Sequence, residues 1–109
     1  MKTIRYGIVG LGFVGPHHVE AVRRLGFVEI IATAGRDLEK TRTKAEQLYI
    51  HRIYGSYEEL VNDPDVEVVA ITTPTWLHHP IAMAAIANRK HVIVEQAIVH
   101  DRSTSARNA

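Results

Sequence analysis

Ile4-Arg5-Tyr6-Gly7-Ile8-Val9-Gly10-Leu11-Gly12-Phe13-Val14-Gly15-Pro16 governs how the rest of the chain is read. Its first six residues form a strand-length run that ends in a glycine-rich turn. Pro16 suits the first turn of a helix, where its missing N–H would have found no partner. Val19, Val22 and Leu25 then recur at helical spacing, and Gly26 is a natural stop. Gly10 permits a tight turn, Gly12 lets backbone approach a pyrophosphate, and Gly15 allows close packing of helix on strand. The free N–H groups and positive dipole end of the helix then face the phosphates. The unit points to a bound dinucleotide, with a ligand-free turn or another nucleotide-bearing ligand as the alternatives.

Outward from this unit, strand-length apolar runs alternate with helical patterns. Residues 28–34 are rich in β-branched side chains and read as a strand buried on both faces. Asp37 caps a helix whose apolar face is Leu38, Thr41, Ala45 and Leu48. Arg52-Ile53-Tyr54 is a short third strand, and Ser56 with Glu59 forms a capping box opening a helix that ends near Val61. Asn62-Asp63-Pro64-Asp65 reads as a turn. Residues 67–72 make a fourth strand, 80–87 a helix and 91–95 a fifth strand. This alternation predicts a doubly wound parallel α/β sheet in three layers, ordered 3-2-1-4-5, with the ligand crevice between strands 1 and 4.

Composition narrows the function classes. The chain has 109 residues, 13 Lys+Arg against 12 Asp+Glu, and no cysteine. One domain is expected, burying roughly 65% of the unfolded chain's surface. A formal net charge of +1 gives no general reason to bind nucleic acid or an acidic membrane. Without cysteine there is no disulfide, thiolate catalysis or cysteine-ligated metal. The longest apolar run, residues 81–87, is far short of the ~18 residues of a spanning helix. Glycines 7, 10 and 12 interrupt any signal-peptide core, so a soluble cytoplasmic chain is expected.

The second strand runs into Ala34-Gly35-Arg36-Asp37. An acidic residue there would bind the adenosine ribose, whereas Arg36 offers planar donors suited to a 2′-phosphate. The cofactor expectation is NADP or NAD, leaning to NADP; a solvated Arg beside a capping Asp is the alternative.

Several motifs coincide in order. Residues 8–15 are followed by His18; then come Tyr54-Gly55-Ser56-Tyr57-Glu58-Glu59-Leu60, Val68-Val69-Ala70-Ile71-Thr72-Thr73-Pro74 with His78, and Lys90-His91-Val92-Ile93-Val94-Glu95. Together they resemble the N-terminal cofactor domain of the glucose–fructose oxidoreductase/inositol dehydrogenase/MocA family, over residues 4–99. The resemblance implies a Rossmann-type domain at residues 1–99; residues 100–109, with few large apolar side chains, read as a tail. It further implies that Gly12, Phe13 and Val14 lie along the pyrophosphate, alongside Gly10 and Gly15, and that Arg36 lies near the adenosine ribose. Thr72, Thr73, Pro74 and His78 are then expected near the cofactor's ribose and nicotinamide side, and Glu95 at the nicotinamide end.

The departures from the family pattern are specific. A Glu-Lys-Pro commonly ends the family's last strand, its Lys positioning substrate and assisting proton transfer; here the sequence is Glu95-Gln96-Ala97. Gln carries no titratable proton and cannot be a general acid or base. Thr75 stands where the loop often has Asn. Arg89 falls where a helix-ending Gly is usual, at a position that prefers positive φ. Tyr49 and His51 occupy places where Gly and Pro are common. Enzymes of the family continue into a second α/β domain that supplies the substrate pocket, and that domain is expected to be absent here. The expectation is a cofactor-binding domain with no catalytic residue and no independent turnover. The alternative is a self-associating scaffold with vestigial cofactor binding, a homodimer joined around Tyr49, Ile53 and the edge strand.

Other constellations are weaker. His17-His18 and His78-His79 are adjacent pairs whose members point apart, so no metal site is expected, though one His of each pair could converge at the sheet's carboxyl edge. Ser56 and Ser103 lack a nucleophile-elbow context. Trp76 either covers a bound cofactor or shields a loop. Arg23-Arg24 reads as a solvated helix surface.

Overall fold

A computed structural model describes residues 2–11 and 15–94. Five parallel strands, β1 (Ile4–Val9), β2 (Val28–Ala34), β3 (Arg52–Tyr54), β4 (Val68–Ile71) and β5 (His91–Val94), form one sheet in the order β3-β2-β1-β4-β5. The intervening helices are α1 (Gly15–Arg23), α2 (Leu38–Gln47), α3 (Tyr57–Val61) and α4 (His78–Ala87), with a 3-10 turn at Thr75–Leu77.

Two apolar clusters account for the three layers. On one face Tyr6, Ile8, Ile30 and Ala70 of the sheet pack with Val19 and Val22 of α1 and Ala45 of α2. On the other, Val9, Ala32, Ala34, Val69 and Ile71 pack with Leu60 and Val61 of α3 and Ile81 and Ala85 of α4. Ile30 and Ala32 would share a face if alternation were strict. A register shift between Tyr6 and Gly7 pairs Tyr6 with Ile30 but Gly7 with Ala32, and the extra residue divides them between the clusters. The buried hydroxyl of Thr33 donates to the Ile8 carbonyl at 2.9 Å, so this polar group inside the sheet is satisfied.

Local signals behave as their chemistry dictates. Asp37 accepts from the Lys40 N–H at 3.1 Å, and Ser56 accepts from the Glu59 N–H at 3.3 Å. Two apolar expectations need correction. Leu25 lies beyond the last turn of α1 and is 56% exposed, because the helix gives way to a turn that places Gly26 at φ +79°. Leu38, the first residue of α2, is also exposed, while Thr41 and Ala45 carry the buried face.

Tyr49 has φ 59° and Arg89 has φ 61°, both in the left-handed region where a side chain is disfavoured. Each follows a helix and continues into a strand, a place that favours glycine.

Candidate functional site

The chain leaves β1 toward β2 on one side, while β4 pairs with β1 on the other, so the sheet's topological switch falls at the carboxyl ends of β1 and β4. Ligand crevices of open α/β sheets form at such a point. Gly10 sits there with φ +94°, its N–H donating to the Ala34 carbonyl at 2.8 Å. A Cβ at this glycine would lie 2.7 Å from Thr73 Cγ2 and 3.2 Å from Thr73 N. Both backbone conformation and space therefore demand glycine.

The loop after β4 braces this turn. The Thr72 N–H donates to the Val9 carbonyl at 3.0 Å, and the Thr72 hydroxyl reaches the carbonyls of Val9, at 3.1 Å, and of Gly10. His78, at the start of α4, donates from Nε2 to the Thr73 carbonyl at 2.7 Å. Thr72 and His78 thus hold the shape of the two loops. Thr73 Oγ1 is buried with no hydrogen-bond partner among the described residues, an orphaned polar atom in the crevice wall. Pro74 is exposed on the same loop.

A cleft of about 360 Å³ opens beside this loop. Gly35 and Arg36 after β2, and Ser56 and Tyr57 after β3, line one side; Thr73, Trp76 and Leu77 after β4 line the other. Arg36 is exposed at the rim. A Cβ on Gly35 would collide with the Thr41 hydroxyl, so a side chain here would force Thr41 to turn aside. Sequence reasoning singled out Arg36 and Thr73 but not Gly35, Ser56, Tyr57 or Leu77 as lining residues; for Gly35 the signal was its place between β2 and Arg36. A buried hydroxyl with no partner among the described residues, beside a tight glycine turn and a cationic rim, fits a phosphate-bearing nucleotide.

The structure brings together Gly10, Arg36, Thr72, Thr73, Pro74 and His78, and α1 begins at Gly15. Gly12, Phe13, Val14 and Glu95 lie outside the described residues, as do Gln96 and Ala97. His18 serves the core: its Nε2 lies 2.6 Å from the hydroxyl of buried Tyr6, and the two rings stack with centroids 5.7 Å apart.

One polar cluster escaped sequence reasoning. Asp63, 6% exposed, accepts from Arg52 Nη1 at 2.9 and 3.1 Å, from the Tyr54 hydroxyl at 2.8 Å and from the Asp65 N–H at 2.9 Å. Its carbonyl accepts from Lys90 Nζ at 2.7 Å. Burial pushes the Asp63 carboxyl up, and the Asp65 N–H, the Tyr54 hydroxyl and the Arg52 guanidinium outweigh it, holding the group below the ordinary carboxylate range. Burial and the Asp63 carboxylate push the Tyr54 hydroxyl up. The cluster ties β3, the turn before β4 and the turn before β5 together.

Comparison with known proteins agrees with this geometry. Residues 4–106 match the Gfo/Idh/MocA oxidoreductase family, whose fold is the NAD-binding Rossmann fold. An uncharacterized oxidoreductase, ORF334 of Rhizobium meliloti, is 35% identical over 102 residues, covering 93% of this chain and 30% of that protein. Mouse (Mus musculus) trans-1,2-dihydrobenzene-1,2-diol dehydrogenase is 36% identical over 96 residues, covering 86% of this chain and 29% of the enzyme. The crystal structure of an NAD binding oxidoreductase from Klebsiella pneumoniae superposes with a TM-score of 0.81 at 39% identity, covering 84% of this chain and 27% of that one. The chain thus spans about 30% of the length of the curated relatives it matches. No helix among the described residues is long and apolar enough to cross a membrane.

Proposed function

Because the chain belongs to the Gfo/Idh/MocA oxidoreductase family and carries its NAD-binding Rossmann fold, we propose that it works as a cofactor-binding domain that turns over no substrate by itself. The observation that carries this reading is Gly10, left-handed and pressed against Thr73 at the switch between β1 and β4. The bound dinucleotide supplies hydride-transfer chemistry; the chain's residues bind and orient it. Gly10 lets the turn close against Thr73, and by family resemblance Gly12, Phe13 and Val14 lie along the pyrophosphate, with Gly15 closing the turn onto the helix. Thr72 and His78 hold the turn and the facing loop, and Thr73 offers a hydroxyl that has no partner among the described residues. By family resemblance, Pro74 and Glu95 extend the site toward the nicotinamide end.

Arg36 gives the site its cofactor preference. A guanidinium at the rim pairs with a 2′-phosphate in two parallel hydrogen bonds, whereas a ribose hydroxyl is served better by a carboxylate. NADP therefore binds more tightly than NAD. Hydride transfer also needs a substrate carbon held against the nicotinamide, and the chain spans about 30% of the length of the relatives it matches.

Calorimetric titration tests both halves. The chain is expected to bind NADP saturably, to lose about tenfold in NADP affinity on Arg36→Ala with NAD affinity unchanged, and to oxidise no sugar or inositol. Equal affinities in wild type and variant would remove Arg36 from the site, and steady turnover would overturn the catalytic half.

A second reading, a self-associating scaffold with vestigial cofactor binding, is favoured by one observation. Met83 and Ile86 of α4 and Ile93 and Val94 of β5 are exposed by 43–58% at the same edge of the sheet. They offer a larger apolar face than Tyr49 and Ile53 at the opposite edge. Sedimentation over a hundredfold concentration range separates the readings, and a monomer throughout ends this one.

A further inference from the structure

The cleft beside the glycine turn has one wall that the family's glycine and acidic positions do not explain. Trp76, the chain's only tryptophan, stands on the 3-10 turn between β4 and α4. Its neighbour Leu77 packs against the core, while Trp76 lines the cleft and remains 67% exposed. A large aromatic held open to water on a short, braced turn leaves apolar surface uncovered. The turn itself is fixed, since the Leu77 N–H donates to the Pro74 carbonyl at 3.0 Å and His78 holds the Thr73 carbonyl.

The strand order sets what faces it. β4 lies on one side of β1 and β2 on the other, so Trp76 borders the cleft across from Gly35 and Arg36. An indole on one side and a cationic guanidinium on the other flank a slot with an apolar floor, to which buried Ile81 contributes. A planar, electron-rich base with a phosphate nearby matches that pairing: the base stacks on the indole and the phosphate meets the guanidinium.

We propose that Trp76 is a base-stacking residue that grips the purine half of the dinucleotide, and that it contributes more to affinity than to NADP-over-NAD preference. This rests on the reading of the chain as a dinucleotide-binding domain, and it assigns the base to a specific side chain within that site. It also makes the tryptophan a built-in reporter of occupancy.

The test follows tryptophan fluorescence of the intact chain during separate titrations with ADP-ribose, nicotinamide mononucleotide and NADP, with calorimetry in parallel. ADP-ribose and NADP are expected to quench the indole saturably, and nicotinamide mononucleotide is not. Trp76→Ala is expected to weaken NADP and NAD alike by about tenfold or more, while Trp76→Phe keeps affinity within about threefold. Circular dichroism of each variant checks that the fold is kept, as expected for so exposed a side chain. Unchanged affinity in folded Trp76→Ala, or quenching by nicotinamide mononucleotide alone, would overturn the assignment while leaving dinucleotide binding intact. Calorimetric silence of the wild-type chain toward NADP and NAD would overturn the underlying reading as well, so the two failures are distinguishable.

Discussion

Gly10 packs against Thr73 so closely that a Cβ on the glycine would lie 2.7 Å from Thr73 Cγ2. Two loops from strands far apart in sequence therefore meet backbone to side chain, and the first must carry no side chain of its own. Gly10→Ala is expected to cost about 2–3 kcal/mol, from the left-handed φ and from the displaced Thr73 together, and to abolish NADP binding. Gly26 provides the control, since its φ is +79° but nothing lies within 4 Å of an added Cβ. Gly26→Ala is expected to cost about 1 kcal/mol and to leave binding unchanged. Urea denaturation with calorimetry on both variants checks this; equal binding by both would remove the steric argument.

The Thr72 hydroxyl is the brace across the crevice, bonded to the carbonyls at the end of β1. Thr72→Val keeps shape and loses the donor, and is expected to cost about 1 kcal/mol and weaken NADP several-fold. Thr72→Ser keeps the donor and is expected to stay within a few tenths of a kcal/mol of wild type in stability. Unfolding midpoints and NADP titrations of the pair decide it; a loss in Thr72→Ser with Thr72→Val unchanged would assign the effect to the methyl group.

Asp63 couples stability to acid. Its carboxyl is held below the ordinary range in the folded chain, so its contribution is complete above the unfolded value near ~4 and is lost as pH falls through the lower folded value. Asp63→Asn removes the charge from a nearly buried cluster and is expected to cost about 2–4 kcal/mol at neutral pH. The variant and the wild type then converge as pH falls below ~4. Denaturant midpoints at several pH values check the sign, and a gap that widened in acid would contradict it.

Tyr49 and Arg89 hold left-handed backbone with ordinary side chains, and Tyr49 is 77% exposed. Tyr49→Gly and Arg89→Gly are each expected to stabilise the chain by up to about 1 kcal/mol, because relief of the left-handed strain exceeds the added freedom of the unfolded glycine. Thermal unfolding of the two variants measures this. A loss of stability at either would show that its side chain makes a contact worth more than the strain.

These residues also show how far a sequence reaches. Glycine is expected where Tyr49 and Arg89 stand, and the positive φ at both follows from the turns that join helix to strand. The parallel sheet was legible from the alternation of strand and helix patterns along the chain, and the strand-turn-helix at residues 4–16 was legible because periodicity and turn chemistry act within a contiguous stretch. Asp63 reads as part of a turn, and its role depends on Arg52, Tyr54 and Lys90, which arrive from other elements and leave no pattern beside it. Leu25 kept helical spacing after the helix had ended, since spacing alone does not register a turn. At the site, Arg36 was legible from its place after β2, while the bracing by Thr72 and His78 depends on distances between loops.

The most direct test of the account is amide chemical-shift mapping of the isotopically labelled chain titrated with NADP. Saturable shifts are expected to cluster at Gly10, Gly35, Arg36, Thr73 and Trp76, with the amides of Tyr49 and Asp63 unmoved. Absence of saturable shifts, or shifts confined to the Met83, Ile86, Ile93 and Val94 face, would contradict it.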